Sequence, residues 1–237
     1  MIRRWFTLFV TLLLGATFLT ACTSPAERDS SEQPRVLTQE ESERLATSRW
    51  RNVDAGTRTF TTTLTAEGQT LDVTGLINFT THTGTAAMGV DGASDAQLVA
   101  WDVTLVRVHP AVEGIDPTVG EAPPVDSDQW QSRPLDAAAT AVDALLLVLL
   151  SLGSDQPENP LLLRQSATKW LASDTVNGIA VDVFGITPDE ASSTSSPPQP
   201  STGTETLRIW ADNTGVMHRA EILVGAQWIV VDFGAPE

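Results

Sequence analysis

The sequence predicts an α+β fold: a curved antiparallel sheet of about eight strands, closed by an N-terminal helix and an inserted apolar helix. Three observations carry this. Apolar residues alternate with polar ones over 60–79 and again in most later segments, which is the two-residue period of a half-buried strand. A Thr-capped amphipathic stretch precedes the first alternating run. Six aliphatic residues in succession, Leu145–Leu150, interrupt the strands with a segment apolar on every side.

The first element is not part of the domain. Met1-Ile2-Arg3-Arg4 is a short cationic segment, and an apolar run from Trp5 to Leu19 follows it. That is the layout of a secretory signal, at about 15 residues too short to span a bilayer comfortably. The run ends in Leu19-Thr20-Ala21-Cys22, which resembles the bacterial lipobox, and Cys22 is the chain's single cysteine. The resemblance implies cleavage before Cys22 and a diacylglyceryl thioether on its sulfur. Residues 1–21 are therefore expected to be a signal, 22–38 a polar tether after the lipidated cysteine, and 39–237 the folded domain. The expected location is the extracytoplasmic face of the cell membrane, held by acyl chains such as palmitate.

Within the domain, Gln39 to Trp50 reads as the amphipathic helix, with Thr38 as cap and Glu40 and Glu41 in its first turn. Phe60, Thr62 and Leu64 then share a strand face, Glu67-Gly68-Gln69 turns the chain, and Leu71, Val73, Ile77 and Phe79 return with the same period. Further strands are expected over Thr83–Val90, ended by Asp91-Gly92, and over Ala96–His109, with Val99, Trp101, Val103 and Leu105 on one side. Pro110–Pro134, with five prolines, reads as a surface excursion. Asp136–Leu152 is the inserted helix. Its aliphatic side chains must be covered, since each is worth about 1.5–3 kcal/mol when buried. The remaining strands fall near Ala167–Ser173, Gly178–Thr187, Glu205–Ala211, Val216–Val224 and Gln227–Phe233, with a Ser/Thr/Pro-rich loop over 188–204.

This order resembles the LolA-like half-barrel, in particular the lipid-binding lipoproteins of actinobacterial envelopes. The likeness rests on several patterns. One is the hairpin Phe60–Phe79 with Gly68 and Gly75. Another is Trp170-Leu171 followed by Asp174-Thr175-Val176-Asn177-Gly178 and the alternating Ile179, Val181 and Val183. The third is Leu207-Arg208-Ile209-Trp210 with the turn to Gly215 and Arg219. The resemblance implies a half-barrel around an apolar cavity for the acyl chains of lipids or glycolipids.

Composition excludes several functions. The chain has 237 residues, 14 basic against 30 acidic, for a formal net charge of −16. Residues 1–21 carry two of the basic residues and no acidic one, so without them the charge is −18. With Lys169 its one lysine, such a chain neutralises few phosphates, and nucleic acid is not an expected partner. Ser166-Ala167-Thr168-Lys169 matches a Ser-x-x-Lys nucleophile motif but lacks the Lys-Thr-Gly strand that goes with it. His82, His109 and His218 have no metal-ligand spacing. Asp91, Asp95, Asp126 and Asp128 do not follow a calcium-loop order. No catalytic residue, metal or cofactor is expected.

The expected function is therefore non-covalent binding of acyl lipid, for transport or presentation. The candidate binding residues are Leu64, Leu71, Val73, Ile77, Phe79, Trp101, Val103, Leu105, Leu145, Leu149, Val181 and Val183, each on the apolar side of its element. The alternative is an extracytoplasmic sensor that binds a protein partner without lipid, which its acidic, Pro-rich loops would suit.

Overall fold

The two long alternating runs form the centre of the sheet. In the computed structural model, residues 33–90, 96–110, 116, 118, 128–187 and 205–236 are described. Residues 1–32, with the expected signal and Cys22, the turn expected at Asp91-Gly92, most of the expected Pro-rich excursion and the loop expected over 188–204 lie outside them. The elements run β1 (Arg35–Val36), α1 (Gln39–Ala55), β2 (Thr57–Ala66), β3 (Gln69–Asn78), β4 (Thr83–Val90), β5 (Gln97–Asp102), β6 (Leu105–Pro110) and β7 (Gln131–Pro134). Then follow α2 (Ala141–Ser151), α3 (Pro160–Gln165), β8 (Lys169–Val176), β9 (Ile179–Ile186), β10 (Leu207–Ala211), β11 (Met217–Val224) and β12 (Gln227–Phe233).

All twelve strands belong to one antiparallel sheet in the order β1-β8-β9-β10-β11-β12-β2-β3-β4-β5-β6-β7. Two meanders, β2–β7 and β8–β12, are joined where Phe60, Thr61 and Thr62 pair with Phe233, Asp232 and Val231. The order has two free ends, at β1 and β7, so the sheet is open.

This corrects the expected fold class and the family resemblance. The sheet has twelve strands, not about eight, and it is not a LolA-like half-barrel. The extra strands have local causes. Asp102 turns its carboxylate onto the backbone N–H groups of Thr104 and Leu105, at 2.8 and 2.9 Å, and onto the Thr104 hydroxyl at 2.6 Å. That side-chain turn breaks the run 96–109 into β5 and β6. Val103, assigned to the apolar face with Trp101, sits in the break and is 57% exposed. At the edges, Arg35–Val36 pairs with β8 and Gln131–Pro134 with β6, two segments too short to carry a period.

The helices follow their caps. The Thr38 hydroxyl accepts from the Glu41 N–H, the Glu41 carboxylate accepts from the Thr38 N–H, and α1 continues past Trp50 to end at Gly56. Arg35 donates to both Glu41 oxygens at 2.8 Å. These bonds hold the Glu41 pKa down to about 2. α2 is shorter than the predicted 136–152, because the Thr140 side chain caps it by accepting from the Asp143 N–H, and Asp136 instead turns onto the Ala138 N–H.

One face of the sheet carries Phe60, Leu64, Val73, Ile77, Trp101, Ile209 and Val231, all buried with Leu145, Leu146 and Leu149 of α2. Trp101 spans the gap between the layers. Its indole N–H donates to the carbonyl oxygen of Leu146 at 3.2 Å, and its ring meets Phe60 edge-on with centroids 6.2 Å apart. Gly84, its cross-strand partner, has no side chain because the ring occupies that space. A polar knot ties the other end of the core. Buried Arg58 donates to Asn52 Oδ1 and to the carbonyls of Met217 and Gly234, while the Asn52 amide donates to the Leu152 carbonyl just past α2. Burial pushes the Arg58 pKa down to about 10.

If Trp101 sets the separation of helix and sheet, Gly84→Ala should be costly, since a Cβ there overlaps the ring. Urea unfolding should show a loss of about 1–3 kcal/mol; an unchanged midpoint and slope would contradict this packing.

Candidate functional site

α2 has eleven residues and so is about 16 Å long, shorter than the face it crosses. Its middle and C-terminal turns are sealed into the core by Leu145, Leu149 and Leu150. Its first turns are not. Between them and the neighbouring ends of β3, β4, β5 and β6 lies a cleft of about 480 Å³. The sheet supplies Leu71, Met88, Val99, Val106 and Val108 as its floor, and α2 supplies Val142 and Leu146 as its roof. Thr65, Glu67, Gln69, Gln97 and Arg133 bring polar atoms to it.

The register explains this gathering. Val73 pairs with Met88, Val99 with Val108 and Trp101 with Val106, so one apolar row follows the next across four strands. Trp101 and Val106 stand side by side, the first reaching the helix and the second, shorter, leaving space beneath it. The hairpin turn Glu67-Gly68, with φ of 51° and 79°, brings β2 back as β3 and sets Glu67 and Gln69 at the cleft.

The roof is latched to the edge of the sheet. Arg133 of β7 donates from both terminal nitrogens to the carboxylate of Asp143, at 2.5 and 2.7 Å, and the Asp136 N–H adds a third bond at 3.2 Å. The Asp143 side chain is 0% exposed, whereas that of Arg133 is 47% exposed. The Arg133 guanidinium, opposed by desolvation and helped by the Asp136 and Thr140 bonds, holds the Asp143 carboxyl below the usual carboxylate range. The cleft therefore offers apolar walls, a neutralised ion pair and hydrogen-bonding groups.

Of the sequence-derived candidates, Leu71 lines this cleft. Leu64, Val73, Ile77, Phe79, Trp101, Leu145 and Leu149 are buried in the core around it. Leu105 alternates with Val106 and lies on the opposite face of β6, and Val103 is at the exposed turn. Val181 and Val183 form a separate cluster with Val176 and Trp210, on the face of β9 opposite Phe184. Met88, Val99, Val106, Val108, Val142 and Leu146 were not among the candidates. The alternation that nominated Val73 and Trp101 could have found Met88 and Val106 only with the strand register in hand.

The remaining motifs have structural partners. The Ser166 hydroxyl donates to the Leu163 carbonyl at the end of α3 and lies 2.9 Å from the Thr168 hydroxyl. His109 packs on Trp130 with ring centroids 5.1 Å apart. His218 Nε2 lies 2.9 Å from Asp212 Oδ2. Among the described residues no group of three or more His, Cys, Asp or Glu side chains could hold a metal ion. Nor is any described helix long and apolar enough to cross a membrane.

The latch has a pH signature. A carboxylate held below its unfolded-state pKa contributes stability that is fully present above that value, near 4, and is lost as pH falls through the folded value. Unfolding free energy should therefore fall from about pH 5 downward. Asp143→Asn should reduce that slope and cost about 2 kcal/mol at neutral pH; an unchanged acid limb would contradict the latch.

The sequence matches no family model and no curated protein.

Proposed function

We propose that this chain is a binding protein that holds the acyl chain of a lipid or glycolipid in the cleft beneath α2, for transport or presentation at the extracytoplasmic face of the membrane. The observation that carries this reading is the cleft itself. It is a space of about 480 Å³ floored by five aliphatic or thioether side chains and roofed by Val142 and Leu146. That volume is typical of small-molecule sites, roughly 300–1,000 Å³. Each methylene moved from water into it contributes about 0.8 kcal/mol, enough for a short stretch of acyl chain to bind without any covalent step. Polar groups at Gln69, Gln97 and Glu67 suit the uncharged linkage of an ester or glycoside head better than a bare anion. The anchor in this reading is Cys22, whose surroundings in the sequence resemble a lipobox.

The test uses Glu32–Glu237, which forms one compact unit containing the sheet, α1, α2 and α3. Purified without detergent, it should release acyl lipid at about one per protein on solvent extraction, and native mass spectrometry should show the same stoichiometry. Val142→Trp, on the half-buried roof, should fill the cleft and weaken uptake of offered lipid by about tenfold or more at unchanged thermal stability. Leu145 and Leu149 are fully buried in the core, so a polar substitution at either would destabilise the fold and could not report on the cleft alone. A lipid-free mass with no uptake would overturn the reading in favour of a protein partner. In the full chain, labelled palmitate should be incorporated, and Cys22→Ser should abolish the label.

A further inference from the structure

We propose that the face of the sheet turned away from the helices carries a second site, a groove that binds a neutral saccharide. The lining includes Thr61 and Thr63 of β2, Asp72 and Thr74 of β3, and Trp228, Val230 and Asp232 of β12, around a space of about 530 Å³. Register puts these side chains on one face. Asp232 pairs with Thr61, Thr61 with Thr74, and Thr63 with Asp72. Three adjacent strands span roughly 10 Å, and the five residues from Trp228 to Asp232 span roughly 13 Å, the footprint of one or two sugar rings.

Val230 is the one aliphatic side chain on this face of the lining, and the hydroxyls and carboxylates around it suit a polyol rather than a chain of methylenes. A pyranose presents hydroxyls at its rim and a patch of polarised C–H bonds on its face. Threonine hydroxyls donate and accept, carboxylates accept from ligand hydroxyls, and an indole face receives C–H bonds. The groove holds all three. Trp228 is fixed in place by Arg208, whose guanidinium lies 4.4 Å from the centre of the indole and is itself bound by Glu205 and Glu221 at 3.1 and 3.0 Å. Asp232 is oriented by Arg219 at 2.6 and 3.2 Å. Asp72 accepts from Thr63 at 2.9 Å through one oxygen, which leaves the other for a ligand hydroxyl. No lysine or histidine lines the groove, and the chain carries a net charge of −16, so uronates and sulfated sugars meet like charge.

This site is on the opposite face from the acyl cleft and stands whether or not lipid binds there. Glu32–Glu237 would be titrated with maltose, cellobiose, lactose and mannobiose, and with digalacturonate as the acidic comparison, by calorimetry and saturation-transfer NMR. At least one neutral disaccharide should bind with a Kd of about 1 mM or below, and Trp228→Ala should weaken it about tenfold or more. Thr74→Arg, a change at an exposed position that obstructs the groove without touching the core, should do the same at unchanged thermal stability. Val142→Trp should leave saccharide binding intact. Binding of none of the neutral disaccharides, preference for digalacturonate, or equal binding by the Thr74→Arg variant would overturn the proposal.

Discussion

Trp101 sets the distance between the two layers of this protein, and the site depends on that distance. A helix with leucines at 145, 146, 149 and 150 would settle directly onto an aliphatic sheet if nothing stood between them. Trp101 stands between them. It is 1% exposed, bonded at one end to the Leu146 carbonyl, flanked by Phe60 and accommodated only because residue 84 is glycine. On one side of this pillar the aliphatic side chains are long enough to fill the gap. On the other, Val99, Val106 and Val108 are too short, and the cleft is what remains.

Two polar arrangements keep that geometry from collapsing. At the far end, Arg58 and Asn52 fasten the close of α2 to α1, to β11 and to the residue after β12. A buried guanidinium with two backbone acceptors and one side-chain acceptor is costly to leave unpaired, which fixes the relative position of those elements. At the near end, the Arg133–Asp143 pair fastens the first turn of α2 to edge strand β7. That edge is short, and short edges with charged side chains resist pairing with other chains. The same pair thus holds the roof and guards the margin of the sheet.

Most of the longer strands and the start of α1 are legible in the sequence, though the number of strands and the openness of the sheet are not. Alternation marked β2, β3, β4, β9, β11 and β12, the pair Glu67-Gly68 marked a hairpin, and Thr38 marked the start of α1. What failed did so for identifiable reasons. Val99, Trp101, Val103 and Leu105 alternate without interruption, so nothing in hydropathy reveals that the Asp102 carboxylate captures the next amides. β1 and β7 have two and four residues, and their pairing is decided by the neighbouring edge rather than by their own pattern. In β9 both faces are apolar, with Val181 and Val183 on one and Phe184 and Ile186 on the other, so period two cannot say which looks inward. The cleft needed more than faces. It needed the register of four strands and the start of α2 at Thr140 rather than at Asp136.

The proposed ligand is apolar and occupies the space that Trp101 holds open. The most direct measurement is a crystal structure of Glu32–Glu237 grown with a fatty acid brominated along its chain, read by anomalous scattering. Bromine peaks between Val142 and Leu71, with the Trp101–Leu146 bond intact, are the predicted result. Peaks elsewhere, or none with α2 packed down onto Val106 and Val108, would contradict it.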